Sequence, residues 1–331
     1  MRSIARQVFV RKVADMDAEP AKQKTIYWDS TQTLDTSRVL HLYQQMVTIR
    51  LFEERAEQAF VAGKAPGFVH LYQGEEAVAV GVCANLTKDD YITSHHRGHG
   101  HCLAKGVDVD EMVAELLSRE AIAHWRKAGS QQITEIHQSM LRTNGIIGGG
   151  FPLAVGAGLT AKHNGHDQVA VCFLGDEAIN QGTFYESLNL VSAWKLPVIF
   201  VAENKGYAET MPITSHLGYL DILERAANFG ISGVTTDGLD IFAIYTAANA
   251  AIAQARQGKG PSLIECKTYR TKEDLLTEHE PDPIKAMRRL LEEHSIATDA
   301  ELDAIEQQVR KLIDAAWSSA ETNPFSTPKA V

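Results

Sequence analysis

The chain has 331 residues, 44% apolar and 22% charged, the make-up of a soluble globular protein with room for one large α/β domain or two ordinary ones. A formal net charge of -10 argues against nucleic acid, because phosphate backbones are held by clustered positive charge. No run of about 18 uncharged apolar residues occurs, so no membrane span is expected.

Residues 1–35 read as a mixed, polar arm. Its start, MRSIARQVFVRKV, is basic and acid-free up to Asp15. Transit peptides and bacterial N-terminal arms share that composition, and the plain arm is the preferred reading. Residues 36–62 have helical periodicity, with Val39, Leu40, Tyr43, Met46 and Val47 near one face. Gly74 to Leu86 is a second helix, with Glu75 and Glu76 in the first turn, where the helix dipole favours acids. Asp90 to Ser94 is a short strand leading into a His-rich loop, and Asp108 caps a helix to Leu117. Residues 120–145 lack a clear period and read as an extended loop.

Beyond that loop the pattern alternates. Phe151 to His163 is a small-residue helix, and QVAVCFL (168–174) is a buried parallel strand. Helix 178–195, strand LPVIFVA (196–202), helix 217–228, strand 233–236, helix 239–257 and strand SLIECKT (262–268) follow. Residues 282–317 form two amphipathic helices, and 318–331 is a loose polar tail. Such alternation predicts an α/β fold, a doubly wound parallel sheet with helices on both faces, in one domain spanning 36–317. Ligands of such sheets bind beyond the carboxyl ends of the strands. The loops GDEAIN, ENKGY and YRTKED therefore face one crevice. The four cysteines, Cys83, Cys102, Cys172 and Cys266, have no metal or CxxC spacing and read as reduced thiols of a cytoplasmic protein.

His95, His96, His99 and His101 cluster in SHHRGHGH. No acid or cysteine lies at ligand spacing nearby, so a loop carrying Arg97 suits an anion better than a metal. GIIGGG and the following VGAGLTA lie in and before a helix that precedes a strand, the reverse of a dinucleotide fingerprint, and read as close packing by small residues. Asp176 and Asn204 end neighbouring strands. Together they can hold Mg2+ through oxygen, or serve as a helix cap and a turn residue.

NGIIGGGFPLAVGAGL and VAVCFLGDEAINQGTFYESLNLVSAWKLPVIFVAEN, with SHHRGHGHCLAKG and LYQGEEAVAVG, closely resemble the E1 α subunits of pyruvate, branched-chain 2-oxo acid and acetoin dehydrogenase complexes. The resemblance runs over residues 36–317. It implies the thiamine-diphosphate (ThDP) binding fold, ThDP and Mg2+ as cofactors, and a separate β subunit in an α2β2 heterotetramer. It further implies a ThDP-dependent oxidoreductase acting on an oxo group. The cofactor ylid adds to the substrate, and the acyl unit passes to a lipoyl group on an acyltransferase E2. Carried over residue by residue, it assigns catalysis to His96 and His99. It assigns cofactor contacts to Arg97, Ile147, Gly175, Asp176, Glu177, Ala178, Asn204, Lys205, Tyr207 and Arg270, and metal ligation to Asp176, Asn204 and the Tyr207 carbonyl.

The chain departs from the family pattern at one end of the ligand. Glu177 stands where the family has the last Gly of GDG, and Lys205 replaces the second Asn of NN. Gln132 replaces a His, and Thr271-Lys272-Glu273-Asp274, in a shortened loop, replaces a segment with another His. An ammonium offers no lone pair to Mg2+, so Mg2+-dependent ThDP binding is expected to be weak. Lys205 is expected to pair with Glu177 or Asp176. The alternative function is a cofactor-poor α-like subunit with a structural or regulatory role. Phe68, Ser94 and His95 do not choose among pyruvate, branched-chain oxo acids and acetoin.

Overall fold

The computed structural model describes residues 25–27, 33–118, 130, 133–208, 211–212, 221–268 and 281–324. Within the N-terminal arm, β1 (Thr25–Tyr27) pairs antiparallel with β2 (Thr33–Asp35). Asp35 then caps α1 (Thr36–Val61), accepting the Arg38 N–H at 2.7 Å. α2 (Glu76–Cys83) and β3 (Tyr91–Thr93) follow.

The expected His-rich loop holds for His95 to Gly98, and its second half is a helix, α3 (His99–Lys105). Gly100 makes it possible, because a Cβ there would meet the Tyr72 ring at 2.1 Å. α4 (Val109–Leu116) begins at Asp108, as expected. The described part of the expected loop 120–145 contains a 3-10 turn (Ile136–Gln138) and β4 (Met140–Arg142), an edge strand too short to show periodicity.

The chain continues through α5 (Gly150–His163), β5 (Ala170–Gly175), α6 (Gly182–Ala193) and β6 (Val198–Asn204). β7 (Tyr207–Ala208) pairs antiparallel with β8 (Met211–Pro212). Then come α7 (Ile222–Ala227), β9 (Ser232–Asp237), α8 (Ile241–Arg256) and β10 (Ser262–Lys267). α6 starts later than expected, because Asp176–Asn180 is a 3-10 turn and Gln181 is extended (ψ 138°). The expected start of the 217–228 helix lies outside the described residues, and α7 is capped by Asp221. Of the two final helices, α9 (Pro283–Glu293) and α10 (Asp299–Thr322), the second runs past the expected tail boundary at 318, because Ala320 continues its buried face.

The main sheet has the order β4-β3-β5-β6-β10-β9, and every pairing is parallel. The three strands expected to be neighbours, β5, β6 and β10, are neighbours. Their side chains alternate between two cores. Val171, Phe173, Ile199, Val201, Ile264 and Cys266 face α1, α2, α8 and α10. Cys172, Leu174, Val198, Phe200, Ala202 and Leu263 face α5, α6 and α7. Burial on both faces is why these strands read as unbroken apolar runs. Small-residue packing holds in α5 at Gly158, where a Cβ would lie 2.5 Å from Val198.

Asp90 fastens α8 to the start of the sheet. Fully buried, it accepts both guanidinium ends of Arg256 (2.6 and 3.0 Å) and the Val169 and Thr87 N–H groups. Burial alone would raise its pKa, but Arg256 and the backbone donors outweigh that and hold it below its ordinary value. Its contribution is therefore complete above the unfolded value of about 4 and is lost as pH falls through the depressed one. An Asp90→Asn variant should be less stable by about 2–3 kcal/mol at pH 7, a buried-pair loss reduced for the partial exposure of Arg256. It should also lose less stability on acidification below about pH 4. Urea unfolding across pH measures both effects.

Candidate cofactor crevice

From β3 the chain turns to the β4 edge, and from β5 it turns the other way to β6. The point between β3 and β5 is therefore a switch in winding direction, where open α/β sheets take ligands at the carboxyl ends. A cavity of about 280 Å3 lies there. Of the residues singled out from the sequence, His96, Arg97, Ile147, Gly175, Asp176, Glu177, Ala178 and Lys205 line it. Asn204 is buried at the end of β6, behind the wall. The Tyr207 backbone lies in β7, next along the chain from Gly206. Gln132, Arg270 and Thr271 to Asp274 lie outside the described residues.

Asp176 organises the floor. Its Oδ1 accepts the Glu177 N–H (3.0 Å), and its Oδ2 accepts those of Lys205 and Gly206 (both 2.9 Å). Burial raises its pKa, against the pull of Lys205 and the backbone donors. The Asn204 amide is also committed: Nδ2 donates to Glu265 (2.6 Å), and Oδ1 accepts the Gly206 N–H (2.9 Å).

Lys205 does not make the expected ion pair with Glu177 or Asp176. Its Nζ lies 3.4 Å from Glu75 Oε1. Glu75 is almost fully buried and also accepts the Thr268 hydroxyl at 3.0 Å. Burial would lower the lysine pKa, but Glu75, then Asp176 and Glu203, raise it and keep the ammonium charged. The partner was missed because it comes from the mouth of α2, far away in the chain. The available clue was an acid next to the apolar run AVAVGVC.

The histidines divide by environment. His95 Nδ1 accepts the Arg97 N–H (3.1 Å), so its proton sits on Nε2, 2.6 Å from Glu203 Oε2. His101 bridges Ser94 (2.8 Å) and Glu203 Oε1 (3.0 Å), and the Tyr72 hydroxyl also donates to Glu203. Burial of Glu203 would raise its pKa, but His101 and His95 hold it well below the usual carboxylate range. The acid that sequence spacing lacked is therefore supplied by β6: ligand-type atoms of His95, His101 and Glu203 lie within 4.8 Å of one another. His99 is not brought to the crevice. Fully buried, it joins Glu53 (3.0 Å) to Ser130 (2.8 Å). His96 lines the cavity, and burial, then His95, Arg97 and His70, push its pKa down to about 2.

A doubly wound parallel sheet whose switch crevice is lined by an arginine, a charged lysine and two carboxylates defines an α/β protein with a polar crevice at the carboxyl ends of its strands. Residues 44–329 match the dehydrogenase E1 component family, and the chain belongs to that family. It is similar to the α subunit of acetoin:2,6-dichlorophenolindophenol oxidoreductase from Bacillus subtilis (strain 168), at 48% identity over 307 residues, 88% of this chain and 92% of the relative. The subunit of that name from Cupriavidus necator is 44% identical over 310 residues, 89% and 93% of the two chains. The pyruvate dehydrogenase E1 component subunit alpha of Rhizobium meliloti (strain 1021) is 34% identical over 299 residues, 86% of each. The chain is thus an E1 α-type subunit, in a family that depends on ThDP and whose α subunits work with a β subunit.

A histidine whose pKa is lowered on folding gives stability that is complete above about 6.5 and is lost as pH falls below it. His96 should therefore stay neutral across roughly pH 5–8, where an ordinary imidazole changes charge. Ring-nitrogen NMR of labelled histidine measures this, and a titration near the ordinary value would contradict the geometry.

Proposed function

We propose that this chain is the α subunit of a ThDP-dependent dehydrogenase E1 that cleaves acetoin, and that it acts with a β subunit in an α2β2 assembly. The observation that carries the reading is the convergence of Arg97 and Lys205 on one crevice at the carboxyl ends of the strands. The diphosphate end of ThDP is the anion that fits them, with Ile147, Gly175 and Ala178 as part of the wall. When bound, ThDP supplies the carbanion chemistry. The chain's own groups orient it: Arg97 and Lys205 neutralise charge, and neutral His96 offers a hydrogen bond to the substrate oxygen. His99, with Glu53 and Ser130, holds α3 to α1 and does not touch the reacting atoms.

Acetoin is preferred over a 2-oxo acid because the acetoin relatives stand at 48% and 44% identity, against 34% for the Rhizobium meliloti pyruvate one. The acyl unit would pass to a lipoyl-bearing E2. No described helix is long and apolar enough to cross a membrane, and all four cysteines are free and buried, which supports a reducing cytoplasmic setting. Nothing favours an inactive α-like subunit, since these relatives are named as subunits of an oxidoreductase and a dehydrogenase.

Co-expression with a β chain should give a heterotetramer that reduces dichlorophenolindophenol with acetoin in the presence of ThDP, and faster than with pyruvate. A folded heterotetramer turning over neither substrate overturns the reading. Arg97→Ala should weaken ThDP binding roughly 10- to 150-fold, the scale of one lost charged contact. Glu177 puts a carboxylate on the wall facing the diphosphate, so Glu177→Gly should tighten binding several-fold in the same calorimetric titration.

A further inference from the structure

Asp176 and Asn204 end adjacent parallel strands, and their oxygens are a donor set of the kind that holds Mg2+. Mg2+ demands near-ideal octahedral coordination by oxygen at short range. Three observations show that the residues present do not fit it. Both Asp176 oxygens already accept backbone N–H groups, one of them two. The Asn204 amide is oriented by Glu265 on one side and by the Gly206 N–H on the other. The third is a positive charge in the same place. The Lys205 ammonium is buried in the cavity wall against Glu75, and it has no lone pair to offer a cation.

We propose that Lys205 is the built-in cation of this crevice, taking the diphosphate directly so that ThDP is held without a divalent ion. The inference rests on the ThDP reading above. The arrangement is suited to the exchange. When the diphosphate draws Lys205 away, Glu75 keeps the Thr268 hydroxyl and is not left bare. Asp176 keeps its three backbone donors and needs no metal to satisfy it. Among the crevice acids, only Glu177 then has no such commitment, and a single half-exposed carboxylate is not a metal site.

The test uses the αβ complex. ThDP is titrated calorimetrically in EDTA and in excess Mg2+, and Mn2+ is titrated by electron paramagnetic resonance in the presence of ThDP. The wild type should bind ThDP equally in both media, within about twofold, and hold no Mn2+; the yardstick is that one lost charged contact shifts affinity 10-fold or more. Lys205→Asn should acquire one Mn2+ per α chain and become Mg2+-dependent for ThDP, whereas Lys205→Arg, which keeps the charge, should not. A wild type that needs Mg2+ for ThDP, or that holds one Mn2+ per α chain, overturns the proposal whether or not the variants fold. If ThDP binds in neither medium, it is the cofactor reading that fails. The Mn2+ titration, repeated with inorganic diphosphate, then decides the cation claim: signal in the wild type refutes it, and signal in Lys205→Asn alone supports it.

Discussion

A carboxylate within a central strand is costly to bury unless donors replace the water it loses. Glu203 has no exposed surface and sits between β5 and β10. It accepts from His95, His101 and Tyr72. These contacts fix the crevice. His95, turned toward Glu203 by one ring nitrogen, receives the Arg97 backbone with the other, so the loop that presents the arginine is anchored to the sheet. His101 ties the following helix to the same acid, and its ring stacks on Phe173 at 3.8 Å. The need to satisfy one buried charge thus explains why a His-rich segment is ordered at the switch point.

The layered sheet was readable from the sequence because strands covered on both faces become plain apolar runs. VAVCFL, VIFVA and LIECK need no partner to be recognised. Short or composite elements were not readable. β4 is only Met140–Arg142, and α3 hides behind histidines and glycines that resemble a loop until Tyr72 is packed against Gly100. α6 starts later than the pattern suggests because Asp176–Asn180 forms a 3-10 turn whose apolar Ala178 and Ile179 are buried like helix residues.

The site was readable as a set of residues but not as a set of pairs. Arg97, Asp176 and Lys205 could be named from motif positions, and the structure brings all three to one cavity. The partner of Lys205 could not be named, since Glu75 and Lys205 are joined only by the folding of α2 over the sheet. His99 illustrates the opposite error. It shares a motif with His96, yet the turn through Gly98 carries it to the start of α3, in the core beside Glu53 and Phe52. Motif membership gives proximity in the chain, and the turn that joins two elements decides which neighbour faces the crevice.

The three N–H groups gathered on Asp176 have a kinetic meaning as well as a static one. Because the carboxylate clamps Lys205 and Gly206 to the turn after β5, the segment between β6 and β7 is ordered before any ligand arrives. A loop already ordered surrenders little conformational entropy on binding. Association at this side of the crevice then resembles filling a mould rather than closing a hand.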